Sequence, residues 1–223
     1  MRLVITSVKY GDMLPLVLPA WKAIVPSVTV ATSPEDRESQ DVAADHGVPC
    51  VVTDAWTRCD EGHIGGPAKF NMGFGINVAL GLRGDVVAPP ASGEVCAHVS
   101  ADCYPFGKWP SESDLRTDTI YGFWRYECLT HGALTEHIRG SRTIGRFQRL
   151  KNSGSMPIGY FQMFRAQAGR WMPSYPTAGK TDTHFAKSFP RFEMLTSLYF
   201  LHLGPINNHA NWAGRVVPQW EVA

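Results

Sequence analysis

The first 55 residues alternate between short apolar runs and mixed stretches. RLVITSV opens the chain as a β-rich run and ends at the breaker pair Gly11-Asp12. MLPLVLPAWKAI at 13–24 predicts an apolar helix, kinked or shortened by Pro19. Val28–Thr32 predicts a second strand. SPEDRESQDVAADHG then predicts a helix capped by Ser33, with Pro34 in its first turn and Gly47 as its stop. A third strand covers 49–53. Strand, helix, strand, helix, strand in this order points to an α/β protein with a parallel sheet. Such sheets bind ligands at the carboxyl ends of their strands, which singles out Ser7, Thr32, Asp36 and Asp54.

The pattern continues with a Gly-rich loop over 56–68 and a helix over KFNMGFGINVALGL at 69–82. Residues 95–100 form another apolar run, which stops at Asp102. The second half is less regular. It predicts a strand at 158–166 and a helix running into a strand at 192–204. No repeat or linker divides the chain, so one domain over 1–223 is expected.

Composition narrows the class. Of the 223 residues, 44% are hydrophobic and 18% charged, which suits a packed core and not a disordered chain. No apolar run is long enough to span a bilayer, and the first residues read as a strand, not a signal peptide. The five cysteines fit neither a zinc site nor a disulfide framework, so reduced thiols and a cytoplasmic location are expected. Net charge is +1, but residues 1–105 hold 7 basic and 12 acidic residues while 106–223 hold 14 and 8. The two halves differ in sign, which suits different partners for 1–105 and for 106–223. The densest basic stretch, RGSRTIGRFQRLK, carries Arg139, Arg142, Arg146, Arg149 and Lys151 without an acid. It reads either as a solvated face or as a contact for an anionic partner such as DNA. Phe123, Trp124, Tyr126 and Phe147 lie near it and are candidates for stacking on bases or for the core.

Several pieces fall in one order: VTVATSPED, VVTD, KFNMGFGIN, HVSADCYP, then GYFQMFR, TDTHF and HLGPINNHANWAGR. This order resembles the GT-A glycosyltransferases, in particular small family-2-like enzymes encoded by phages. The resemblance implies a Rossmann-like, mostly parallel sheet flanked by helices. It implies transfer of a hexosyl or pentosyl group from a nucleotide sugar, a UDP-sugar first, with inversion, assisted by Mn2+ or Mg2+. In a phage setting, it implies hydroxymethylated bases in DNA as the acceptor. Residue by residue, it makes Asp102 and His202 metal ligands. Thr32, Asp36, Asp54, Lys69, Asn77, Ser100 and Arg215 become donor-binding residues, and Asp182 becomes the catalytic base, with His184 as the alternative.

The chemistry is consistent with that set. Breaking the bond between sugar and diphosphate leaves charge on the phosphates, which a divalent cation neutralises. Such a cation needs few protein carboxylates, because substrate oxygens and waters complete its shell. A carboxylate takes the proton from the attacking acceptor hydroxyl. Arginine pairs bidentately with phosphate, which gives Arg215, beside Asn211 and Trp212, a role over the diphosphate.

Two positions depart from the family pattern. Ser100 stands where relatives carry the first acid of an Asp-x-Asp motif, and Met72 where they often carry a lysine. Both leave open a degenerate protein that binds without catalysing. His98, inside an apolar run, reads as structural. A nucleotidyltransferase or a dinucleotide-binding dehydrogenase would need a Gly-rich loop after the first strand, where SVKYGDM has none.

Overall fold

The computed structural model describes residues 1–149, 156–157 and 160–204. The first strand, β1 (Arg2–Thr6), leads into α1 (Leu14–Ile24), then β2 (Val28–Thr32), α2 (Arg37–Asp45) and β3 (Cys50–Val52). After a 3-10 turn at Asp54–Thr57 come α3 (Met72–Leu80), β4 (Val95–Ser100) and β5 (Cys103–Gly107). The second half supplies β6 (Thr119–Cys128), α4 (His131–Ile138), β7 (Gln148–Arg149), β8 (Phe161–Arg165), α5 (Thr181–Lys187) and β9 (Arg191–Leu203). Among the described residues the strands join one mixed sheet in the order β3-β2-β1-β4-β8-β6-β9-β5, with β7 beside β6.

The expected parallel half is there. β3, β2, β1 and β4 run parallel, and their carboxyl ends lie side by side through the pairs Thr32–Val52, Thr6–Ala31 and Thr6–Ser100. The other half is closed by antiparallel pairing of β8 on β4 and of β5 on β9. Side chains alternate between the two faces of a strand. Leu3, Ile5, Ala97 and Val99 pack with Leu14, Val17 and Trp21 of α1 on one face. Val4, Ala31, Cys96 and Phe164 pack with Ile76 and Leu80 of α3 and Phe185 of α5 on the other.

Several expectations need correction. Asp36, not Ser33, caps α2: its Oδ1 accepts the Ser39 N–H at 3.2 Å. Ser33 and Pro34 form a turn before the helix, closed by the Asp36 N–H on the Ser33 carbonyl at 3.2 Å. The segment 192–204 ends in the expected strand but does not begin as a helix. It is the long strand β9, held between β6 and β5. Pairing on both edges overrides its helix-compatible composition, and a bulge opposite Phe123 and Trp124 absorbs its irregular pattern. Strands β5 and β6 and helix α4 were not foreseen. Pro19 lies inside α1 without ending it, so the helix still runs from Leu14 to Ile24.

Candidate active site

Asp102 sits in the tight turn between β4 and β5, and three elements hold that turn. The Ala101 N–H donates to the Thr6 carbonyl at 3.0 Å. The Leu203 N–H donates to the Asp102 carbonyl at 2.8 Å, and the Trp21 indole N–H donates to the Cys103 carbonyl at 3.0 Å. An apolar strand flanked by two others and backed by a wholly buried tryptophan thus delivers one carboxylate to the carboxyl edge of the sheet.

That carboxylate meets His202. The register of β5 against β9 sets Cys103 opposite His202, and His202 Nε2 lies 3.4 Å from Asp102 Oδ2. The other ring nitrogen, Nδ1, is 3.3 Å from the Gly204 carbonyl. A carbonyl only accepts, so Nδ1 carries the hydrogen and Nε2 turns toward the carboxylate. A bare lone pair facing a carboxylate oxygen is repulsive, so this edge calls for a proton or a cation between the two atoms. Their 3.4 Å separation is close to the edge of an octahedron with bonds of about 2.1 Å, about 3 Å. The pair therefore fits two adjacent positions of a Mn2+ or Mg2+ shell, and the carbonyl on Nδ1 is the usual outer support for a ligating histidine. Among the described residues no cluster of three His, Cys, Asp or Glu forms, so further ligands would come from a substrate and water.

The electrostatics favour an ionised Asp102. Burial pushes its carboxyl up; with a proton on His202 Nε2, the charge and hydrogen bond of that ring, helped by Ser100 and the Arg125 guanidinium, outweigh this and hold the carboxyl well below the usual carboxylate range. Ser100, which replaces the expected first acid, is near enough to Asp102 to help hold its carboxyl down.

Sequence reasoning missed Arg125. It lies on β6, opposite Phe200 and two positions before Glu127, which pairs with His202. Its guanidinium stacks 4.0 Å over the Tyr160 ring. Tyr160 is itself fixed, with its hydroxyl on the Phe123 carbonyl at 2.6 Å and its own carbonyl on the Ser100 N–H at 2.9 Å. Arg125 Nε is buried and meets no hydrogen-bond partner among the described residues. The only signal in the sequence was a charged residue inside FWRYEC, an otherwise aromatic run.

The remaining candidates separate. Thr32 and Asp36 stand together at the end of β2, both buried. The Thr32 hydroxyl is 2.5 Å from the Ser7 carbonyl and 2.9 Å from Asp36 Oδ2, which also takes the Lys9 N–H at 2.5 Å. Asp36 therefore ties the β1 loop to α2, and Lys9 accepts a left-handed backbone, φ 63°, to reach it. Asp54 is exposed at the sheet's edge, in an ion pair with Arg58 at 3.3 Å. Lys69 is exposed, and its N–H is bound to the Pro176 carbonyl at 2.9 Å. Asn77 is wholly buried. Its amide clamps the Met172 backbone at 2.8 and 2.9 Å, which gives it a structural task away from the sheet's edge. Arg215, Asn211, Trp212 and Lys151 lie outside the described residues.

Asp182 is the second residue of α5. Its carbonyl accepts the Gln162 amide at 2.8 Å, and Gln162 pairs with His98 two positions before Ser100. The alternative base, His184, is exposed and bonded to the Tyr175 hydroxyl. Of the basic segment, Arg139, Arg146 and Arg149 are exposed, while Arg142 pairs with Glu136 at 3.2 Å. Arg149 stacks on Trp124. Phe123 is core, and Phe147 packs against His137 of α4. Trp124 and Tyr199 pair, whereas Arg125 pairs with Phe200, so strand alternation puts Arg149 on the face of β6 opposite Arg125.

A mannosyltransferase from Pyrobaculum calidifontis, solved in complex with GDP-Man and Mn2+, matches this chain at TM-score 0.50 and 13% identity, over 95% of this chain and 59% of that one. The fold is of the GT-A type. A GT-A sheet thus carries Asp102 and His202 at its edge. A glucosyl-3-phosphoglycerate synthase from Mycobacterium tuberculosis, in complex with Mn2+, UDP and phosphoglyceric acid, matches at TM-score 0.48 and 10% identity, over 94% of this chain and 72% of that one. The chain spans about three fifths of the mannosyltransferase's length. No protein-family profile matches the sequence, and no curated protein does. Among the described residues no helix is long and apolar enough to cross a membrane.

Proposed function

We propose that this protein is a nucleotide-sugar-dependent glycosyltransferase whose donor site lies at the carboxyl edge of β1, β2 and β4. The observation that carries this reading is the Asp102–His202 pair, a buried carboxylate 3.4 Å from an imidazole nitrogen whose other ring nitrogen is held by a carbonyl, at the edge of a GT-A sheet. The GT-A mannosyltransferase, solved with GDP-Man and Mn2+, supports the donor class and the metal.

Each residue then has a task. Asp102 and His202 would hold a Mn2+ or Mg2+ ion, which when bound supplies positive charge to the donor's diphosphate. Arg125, held over the Tyr160 ring, would pair its guanidinium with the same or a neighbouring phosphate. Ser100 orients Asp102. Asp182 takes the proton from the attacking hydroxyl in an inverting displacement. Thr32 and Asp36 shape the base-binding turn through the backbone. Asp54, Lys69 and Arg215 contact the donor's outer parts. DNA bearing hydroxymethylated bases is the acceptor that the exposed Arg139, Arg146 and Arg149 support, with a protein or glycan acceptor next.

Incubating the protein with Mn2+ and a panel of UDP- and GDP-sugars tests the reading. Expected is release of nucleoside diphosphate from one donor, abolished by EDTA and restored by Mn2+. Asp102→Asn should lose both turnover and calorimetric Mn2+ binding while its circular dichroism shows that it stays folded. Full activity in EDTA would exclude the metal assignment. Donor binding without turnover for any acceptor would establish the non-catalytic binding protein that Ser100 and Met72 left open.

A further inference from the structure

His98 and Gln162 form a buried polar pair on the face of the sheet that is otherwise lined by Cys96, Phe164, Ile120 and Phe185. Their register on β4 and β8 sets them side by side, with His98 Nε2 3.2 Å from Gln162 Oε1. The other end of the Gln162 amide donates twice, to the Asp182 carbonyl at 2.8 Å and the Pro157 carbonyl at 3.1 Å. This amide has one workable orientation. Turned over, its oxygen would face two carbonyls. Held as it is, its oxygen needs a donor, and His98 supplies the Nε2 hydrogen.

We infer that the His98–Gln162 pair is a positioning device that fixes the first turn of α5, and through it the Asp182 carboxylate, relative to the strand that ends at Ser100 and Asp102. Two apolar side chains would fill the same space without burying polar atoms. What they would not supply is a directional hold on the Asp182 backbone. The Gln162 amide ties three pieces of chain to one another: the middle of β4, the residue before the β8 approach at Pro157, and the start of α5. A shift of about 1 Å in a reacting group costs on the order of 10²-fold in rate, so a hydrogen bond to the backbone of the base is placed where it matters for turnover. The inference rests on the reading of Asp182 as the base, although the hold on α5 does not.

The test uses the full chain with Mn2+ and whichever of UDP-glucose or GDP-mannose it hydrolyses. Gln162→Met keeps the volume and removes both donors. His98→Leu removes the hydrogen that orients the amide, and His98→Gln returns a donor near the Nε2 position. Expected for Gln162→Met and His98→Leu are faster amide hydrogen exchange over 181–187, kcat lower by about 10- to 100-fold, and KM for the donor within about twofold. His98→Gln should recover most of the kcat. Unchanged exchange at 181–187 in both variants overturns the inference. So does wild-type kcat in both while Asp182→Asn is inactive. If Asp182→Asn is itself active, the base assignment falls, and the exchange data alone decide whether the pair holds α5. Should Gln162→Met fail to fold, the comparison of His98→Leu with His98→Gln answers the same question.

Discussion

At the scale of single residues, identity says little until the partners are known. Asp36 and Asp102 both follow apolar strands of the parallel half-sheet. Asp36 is absorbed by Thr32, Ser39 and the Lys9 backbone, whereas Asp102 keeps an oxygen facing His202. His98 also gains its meaning from burial. Burial pushes its imidazole down to about 4, only partly opposed by the hydrogen bond to Gln162. The unfolded chain therefore binds a proton below about pH 6.5 that the folded chain refuses until about 4. Stability should fall as pH drops through that window, by roughly 3 kcal/mol for this residue, and the loss should level off below it. Denaturant unfolding at pH 7.5, 6 and 5 measures this. His98→Gln should lose less stability between those points than the native chain, and equal losses would exclude His98 as the cause.

At the scale of elements, α3 shows how a sequence rule is overridden. MGFGINVAL carries two glycines inside a helix, where each is unfavourable by up to about 1 kcal/mol relative to alanine. A Cβ on Gly75 would overlap the buried Trp56 ring, and one on Gly73 would overlap the Pro173 carbonyl. Close approach, not flexibility, explains both. Gly75→Ala should therefore destabilise, by roughly 1–3 kcal/mol from overpacking less the gain in helix propensity. Gly132, in α4, has only the Thr130 hydroxyl oxygen at 4.0 Å, so Gly132→Ala should stabilise by roughly 0.5–1 kcal/mol. Thermal melts of the two variants check the contrast in sign. Stabilisation by Gly75→Ala would mean that Trp56 moves aside freely.

At the scale of the molecule, charge and topology bear on the acceptor. Arg149 lies on the face of β6 opposite Arg125, so a polymer meeting both must pass around the sheet's edge. If Arg139, Arg146 and Arg149 meet DNA phosphates, binding should weaken with salt at a log–log slope of about −3, from roughly −0.9 per contact. Arg146→Glu with Arg149→Glu should flatten the slope and leave donor hydrolysis unchanged. A native protein with no salt-dependent affinity for duplex or single-stranded DNA would move the acceptor to a protein or glycan.

The sequence by itself determined the parallel half of the sheet. Strict alternation of short apolar runs with helical stretches has one economical packing, and its strand ends announce where polar residues gather. It also determined Asp102 as a strand-end acid, because an apolar run that stops at a carboxylate is a local pattern. The tertiary structure alone decided which acids are free, since Asp36 and Asp102 differ in partners up to 100 residues away and not in neighbours. It decided β9 as well, whose composition suits helix or strand and whose state is set by pairing on both edges. It decided Arg125, which becomes a candidate site residue only when β6 lies beside β9 and Tyr160 holds the guanidinium near Asp102. These are long-range contacts, and they leave no periodic trace in the chain.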